Sequence, residues 1–371
     1  MFRTIPIFLT LGGMIVALGI GLLAAPSGVV SAGTQTEPLA LRPLTAARPM
    51  VVLLADNAGT ETTDLLVPHG ILRRAGATDL RILSTGAGPV TLMPALSIEA
   101  DQTIAAFEAQ HPEGADVVIV PALHSRGTPA TSAFLRRQAA LGAAIVAICE
   151  GAEVVARAGL LEGRAATTHW FALRRLARRH PQTEWRRHAR WIEDGPVMTS
   201  SGVSASVPVT LALLERLAGH AVAARVAHDL GVEGWDSAHN SDAFGLGARR
   251  VLLVARNLGA FWRHERLGVA LDQGFDGVAL ALQADAWSRT YRSRVVGVNA
   301  AGRVRSAEGV QYLTEAPSDA MVALAPLIGP PHEALDAALA AIAARYGPAT
   351  AEFVAVQLEY PWQAAAGAGG G

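Results

Sequence analysis

The chain has 371 residues, with 31 basic and 32 acidic side chains and a formal net charge of −1. Near-neutral charge and a shortage of lysine give no footprint for nucleic acid or anionic lipid. The length allows two ordinary domains or one large one, and a single cysteine excludes an internal disulfide.

In chain order, the first element is apolar. No charged residue occurs from Thr4 to Thr36, and Ile5 to Ala25 is apolar over about the length that crosses a bilayer. With Arg3 ahead of it, the segment predicts a signal anchor or signal peptide over residues 1–32. The anchor reading gives one transmembrane helix in an inner membrane, with the bulk of the chain in the periplasm. Cleavage near Val30-Ser31-Ala32 would instead release an exported protein. Residues 33–48 read as a linker, and the Gly/Ala-rich residues 363–371 as a disordered tail.

From Met50 onward, apolar runs alternate with helical patterns. Met50 to Ala55 reads as a buried strand, Thr62 to Ala75 as a helix stopped by Gly76, and Leu80 to Ser84 and Val117 to Val120 as strands. Thr131 to Leu141 reads as a helix, and Ala144 to Ile148 as the strand before Cys149. Such alternation predicts an α/β fold with a parallel sheet covered by helices on both faces, which binds ligands at the carboxyl ends of its strands. Cys149 stands at one of those ends, followed by Glu150-Gly151-Ala152 and a helical segment. This is the layout of a nucleophile on a strand-to-helix turn, where free amides and a helix N-terminus favour a thiolate. The expectation is therefore an acidic, accessible thiol.

The segments Ala147-Ile148-Cys149-Glu150-Gly151-Ala152 and Ala158-Gly159-Leu160-Leu161-Glu162-Gly163-Arg164-Ala165-Ala166-Thr167-Thr168-His169-Trp170 resemble the DJ-1/PfpI superfamily of the class I glutamine amidotransferase-like fold. The likeness is greatest to the branch usually fused to AraC-type regulators, and Trp191 to Val203 fits that branch's hairpin and closing turn. It implies a flavodoxin-like domain over residues 49–234. It also implies an acid partner for the thiol a few residues before a proline, the place of Asp64 before Pro68. Glu61, nearer the helix start, reads as the capping acid. His169 is the candidate base. Two departures stand out: Glu150 replaces the histidine that protease-like members carry after the cysteine, and Pro121-Ala122-Leu123 replaces a Pro-Gly-Gly turn. The amides of Ala122, Leu123 and Glu150 are the candidate anion-binding donors.

No DNA-binding half of that branch is expected in these residues. Residues 235–362 read instead as a shortened, degenerate second copy, with Ala279 in the place of the acid and Gln283 in that of the proline. That copy is expected to serve as packing scaffold, within a homodimer or an intramolecular pseudo-dimer, and to give no group to catalysis. Asp236, His239 and Asp242 lack metal-ligand spacing and read as turn residues, and Arg174 to Arg190 as a solvated helix and loop. No metal and no cofactor are expected. Two functions fit: a cysteine-dependent hydrolase, hydratase or glyoxalase-like enzyme acting on a small electrophile, and a non-catalytic module that binds a ligand or senses oxidants.

Overall fold

The computed structural model describes residues 29–30, 36–44, 46–327 and 329–362. The expected membrane segment lies outside the described residues except for Val29–Val30, which pairs in parallel with Trp185 and Arg186. Among the described residues, no helix is long and apolar enough to cross a membrane. The tail beyond residue 362 also lies outside them.

The first half is a doubly covered sheet. It is built from β1 (Met50–Ala55), α1 (Thr62–Ala75), β2 (Asp79–Ser84), α2 (Ile104–Gln110), β3 (Val117–Val120), α3 (Pro129–Ala140), β4 (Ala144–Ala147), α4 (Gly151–Arg157) and α5 (Trp170–Arg179). The hairpin β5 (Trp191–Asp194) and β6 (Val197–Ser200) and the closing helices α6 (Ser206–Ala218) and α7 (His220–Leu230) complete it. The strands run in the order β5-β6-β4-β3-β1-β2, with Gln102–Thr103 at the far edge, and all neighbours are parallel except β5 and β6. Alternating side chains of β1 enter two cores: Val51 and Leu53 pack in one, and Val52 and Leu54 in the other. That is why the run reads as continuously apolar. Residues 36–44 do not hang free of the domain. Leu39 is buried, its amide donates to Glu193, and Arg42 pairs with Asp116 at 2.6 Å.

The second half begins, after a connecting stretch, with α8 (Ala248–Gly259). It continues through β7 (Glu265–Ala270), α9 (Gly277–Ser288), β8 (Ser293–Val298), α10 (Glu333–Tyr346) and α11 (Pro348–Gln357). β7 and β8 pair in parallel, as β1 and β2 do. The halves meet across α1 and α9. Glu61 of the first half pairs with Arg289, and Asp276 of the second half pairs with Arg74. Thr63 donates to Asp285, while Val278 packs so close to Gly70 that a Cβ there would lie 2.3 Å from its Cγ2. One displacement along the chain converts each of these contacts into its counterpart, the signature of an approximate two-fold axis. The same displacement carries Asp64 to Ala279 and Pro68 to Gln283, the register read from the sequence. Two hairpins join across this axis: Ser97–Glu99, paired with Val90–Met93, also pairs with Gln311–Leu313, which in turn pairs with Arg303–Arg305. The first of these hairpins has no counterpart in the sequence reading, because its strands are too short to show a period.

Candidate active site

Cys149 stands two residues beyond β4 with φ of +57°, a left-handed conformation that costs energy in any residue with a Cβ. The turn is tight enough to require glycine at 151, where a Cβ would lie 2.0 Å from the Val120 carbonyl oxygen. Hydrogen bonds hold the backbone of the turn. The Cys149 amide reaches Ser200 Oγ at 3.4 Å, and its carbonyl accepts from Thr168 Oγ1 at 2.9 Å. The elbow is as expected, but the sulfur is not the open, acidic thiol expected of it. Cys149 is only 5% exposed, and burial, followed by the charges of Asp64, Glu150, Glu61 and Glu359, pushes its thiol well above the ordinary value. α4 spans seven residues and does not offset this.

Asp64 is fully buried beside the elbow. Its Oδ2 accepts from the Ala122 amide at 3.2 Å, and Ser206 Oγ reaches Oδ1 at 3.5 Å. Burial outweighs these contacts and raises its carboxyl to about 7, so it is only partly ionised near neutrality. Glu61 caps α1, as expected, by accepting from the Asp64 amide at 2.5 Å, and burial with the charges of Asp285 and Asp64 raises it well above its ordinary range. Against these carboxyls stands one cation, Arg289, which reaches Glu61 at 2.5 Å and Asp285 at 2.7 Å and is held charged by them.

The remaining candidates are placed differently from expectation. His169 lies in the turn next to Cys149, but its Nδ1 accepts from the Phe171 amide at 3.3 Å and its Nε2 meets the Gln357 carbonyl at 2.9 Å. A carbonyl only accepts, so Nε2 carries the proton and Nδ1 has already committed its lone pair. In this arrangement His169 cannot take the thiol proton. The Ala122 amide is likewise engaged, by Asp64, and is not free to hold an anion. Among the described residues the amides of Leu123 and Glu150 make no hydrogen bond, so two donors of the expected set stay available. The Glu150 side chain is not merely solvated. It pairs at 2.7 Å with Arg175 of α5, which also reaches Glu153 at 2.6 Å, so the arginine-rich stretch braces the elbow.

The largest correction concerns the second half, which reaches the site on two sides. Arg289 and Asp285 complete the acid cluster, and the end of α11 closes over α5. Glu359 is 2% exposed and accepts from the Trp170 amide at 2.5 Å and the Gly202 amide at 2.6 Å. Gly202 is needed there, because a Cβ would lie 2.8 Å from the Glu359 carboxyl carbon. His239 Nε2 lies 3.4 Å from Glu359 Oε2 without the alignment of a hydrogen bond. Burial opposes the Glu359 charge, but His239, His169 and the Gly202 amide outweigh it and hold the carboxyl below its ordinary range. Sequence reasoning missed Glu359 and Arg289 and took His239 for a turn residue. Only the displacement that relates Arg289 to Arg74 could have singled one of them out. No cluster fit to hold a metal occurs among the described residues.

The DJ-1/PfpI family profile matches residues 49–216. A protein from the cpoL 5′ region of Streptomyces lividans is 34% identical over 139 residues, which are 36% of this chain and 94% of that one. The HTH-type transcriptional regulator CdhR of Pseudomonas aeruginosa is 31% identical over 147 residues, 39% of this chain and 42% of the regulator. The isonitrile hydratase of Pseudomonas putida is 28% identical over 162 residues, 42% of this chain and 67% of the hydratase. The chain belongs to the DJ-1/PfpI family, with HTH-type regulators among its relatives. It spans less than half the length of CdhR, and the family match ends at residue 216, before the second half begins.

Proposed function

We propose that the protein is a cysteine-dependent enzyme that adds water to a small neutral electrophile with a carbon–nitrogen or carbon–oxygen multiple bond. The observation that carries this reading is the strained elbow of Cys149 beside Asp64, a buried carboxyl raised to about 7 and so partly protonated near neutral pH. A buried, neutral pair favours an uncharged substrate, because any charge brought in would be desolvated. In the first step the sulfur forms a bond to the electron-poor carbon, and the displaced electron pair takes the Asp64 proton. The thiol proton replaces it on Asp64. The Leu123 and Glu150 amides stabilise charge developing on the substrate. Water then displaces the sulfur and restores the thiol, so the net reaction is hydration. The likeness to an isonitrile hydratase supports this class.

The test is intact-protein mass spectrometry of the full chain with isonitriles and 2-oxoaldehydes. An adduct confined to Cys149 that forms and is released as hydrated product is expected. No adduct and no turnover from pH 6 to 8, while the unfolded chain alkylates normally, would sink the reading. The second function is ligand binding or oxidant sensing, which the burial of Cys149 and the relatives named as regulators favour. Oxidation of Cys149 by peroxide without any turnover would select it.

We further propose that the half-to-half contacts across α1 and α9 are those of an intramolecular pseudo-dimer, with residues 235–362 a degenerate copy of the first domain. We propose too that residues 1–32 hold the chain at the inner membrane with its bulk in the periplasm. The pairing of Val29–Val30 with Trp185–Arg186 supports retention of the segment over cleavage after Ala32. Reporter fusions after Arg48 that are active only in the cytoplasm would refute the export reading.

A further inference from the structure

Among the described residues outside the active site, the three most exposed large apolar side chains cluster on one short stretch. Leu252 on α8 is 72% exposed, and Phe261 and Trp262 just beyond it are 69% and 71% exposed and pack edge to face on each other. Scattered exposed apolar residues need no explanation, but three within eleven positions on one chain segment do. Arg249 and Arg256 flank Leu252 on the outer face of α8, and Arg263 follows Trp262. From Ala243 to His264 the chain has four arginines and no acidic residue, in a protein whose net charge is −1. Arg249, Arg256 and Arg263 pair with no carboxylate among the described residues. The inner face of α8 is fixed: Leu253 and Asn257 are buried, Asn257 Nδ2 donates to the Thr290 carbonyl at 3.0 Å, and His264 Nε2 reaches the Asn257 carbonyl at 2.9 Å. α8 therefore turns Arg249, Leu252 and Arg256 outward, and the exposed turn Phe261–Arg263 follows it.

A helix with arginines beside leucine, phenylalanine and tryptophan fits the boundary of an anionic bilayer. Its aromatic rings sit at headgroup depth and its guanidinium groups meet phosphates. The position of this face agrees. Val30, which follows the apolar amino-terminal segment, pairs with Arg186, and the next residues, Arg187 and His188, bond Asp242 and Ser241 in the stretch leading into α8. The strand that pairs with Val29–Val30 is thus bonded through its next residues to the stretch that leads into α8. We infer that the face formed by Arg249, Leu252, Arg256, Phe261, Trp262 and Arg263 docks on an anionic lipid surface.

The test uses the full chain with vesicles of phosphatidylcholine alone or with about one-third phosphatidylglycerol, and reads hydrogen exchange peptide by peptide. The local readout separates this face from any insertion by the amino-terminal segment, and it does not depend on the chemistry at Cys149. Amides 248–263 should exchange at least tenfold more slowly on the anionic vesicles than on the neutral ones. The slowing should vanish in the triple variant Leu252→Ser, Phe261→Ser, Trp262→Ser. These side chains are exposed, so the variant should keep the wild-type Tm. Equal exchange on both vesicles, or slowing that appears without lipid as protein concentration rises, would overturn the proposal, the latter by assigning the face to a second copy of the chain.

Discussion

The two ends of the α1–α9 contact make the same ion pair in two environments. At one end Arg289 serves Glu61 and Asp285, whose side chains are 8% and 1% exposed; at the other Arg74 serves Asp276 and Glu308, which are 37% and 4% exposed. The first end lies beside Asp64 and the elbow, and the second lies where the displaced position holds Ala279. The difference teaches where this fold spends stability. The two arginines are almost equally exposed, at 18% and 22%, but Arg289 sits between two buried carboxyls close to Asp64, whereas Arg74 joins the buried Glu308 to an Asp276 that is partly in water.

Replacing the two arginines breaks that comparison most directly. Arg289→Met leaves Glu61 and Asp285 buried without their cation and should lower stability by about 3–5 kcal/mol in urea denaturation. Arg74→Met keeps the apolar stem but leaves one buried carboxylate, Glu308, and the partly exposed Asp276 without their cation, so a smaller loss of about 2–3 kcal/mol is expected. Equal losses from the two variants would mean that burial does not distinguish the ends.

A smaller effect is expected at the other place where the second half reaches the site. Glu359→Gln keeps the size but offers one acceptor oxygen to the two amides of Trp170 and Gly202, leaving one N–H facing an N–H. The cost should be about 1–3 kcal/mol. Because the end of α11 then grips α5 less firmly, alkylation of Cys149 should speed up several-fold. Unchanged alkylation, with the loss of stability present, would show that the α11 end does not control access to the sulfur.

How much of this was legible in the sequence follows from how local each signal is. Strands such as Met50–Ala55, the helix from Thr62 to Gly76, the Cys149 elbow and the Glu61 cap are set by runs of a few residues, and they stand within a residue or two of their expected positions. The site's electrostatics were not legible. Whether His169 is a base depends on the carbonyl of Gln357, and whether the Ala122 amide is free depends on Asp64; both contacts link residues far apart in the chain. A helix N-terminus and a nearby acid suggested a low thiol pKa. Burial among carboxyls reversed the sign, and no pattern of neighbouring residues reports burial of that kind.

Asp64 sharpens the comparison with the smallest change, since asparagine keeps its shape and the displaced position in the second half already does without an acid. Its folded carboxyl titrates at about 7, above the ordinary carboxylate range. The folded chain therefore binds a proton there that the unfolded chain has already released between about pH 4 and 7. Stability from this group is fully present below the unfolded value and is lost as pH rises through the folded one, with a slope of at most about 1.4 kcal/mol per pH unit. Asp64→Asn should flatten that slope in urea titrations across the same window. It should also split two readouts at Cys149. Removing a negative charge that raises the thiol lets alkylation start at lower pH, while turnover falls because the proton donor is gone. Alkylation and turnover falling together would mean that Asp64 only holds the Ala122 loop in place, and the hydration mechanism would lose its acid.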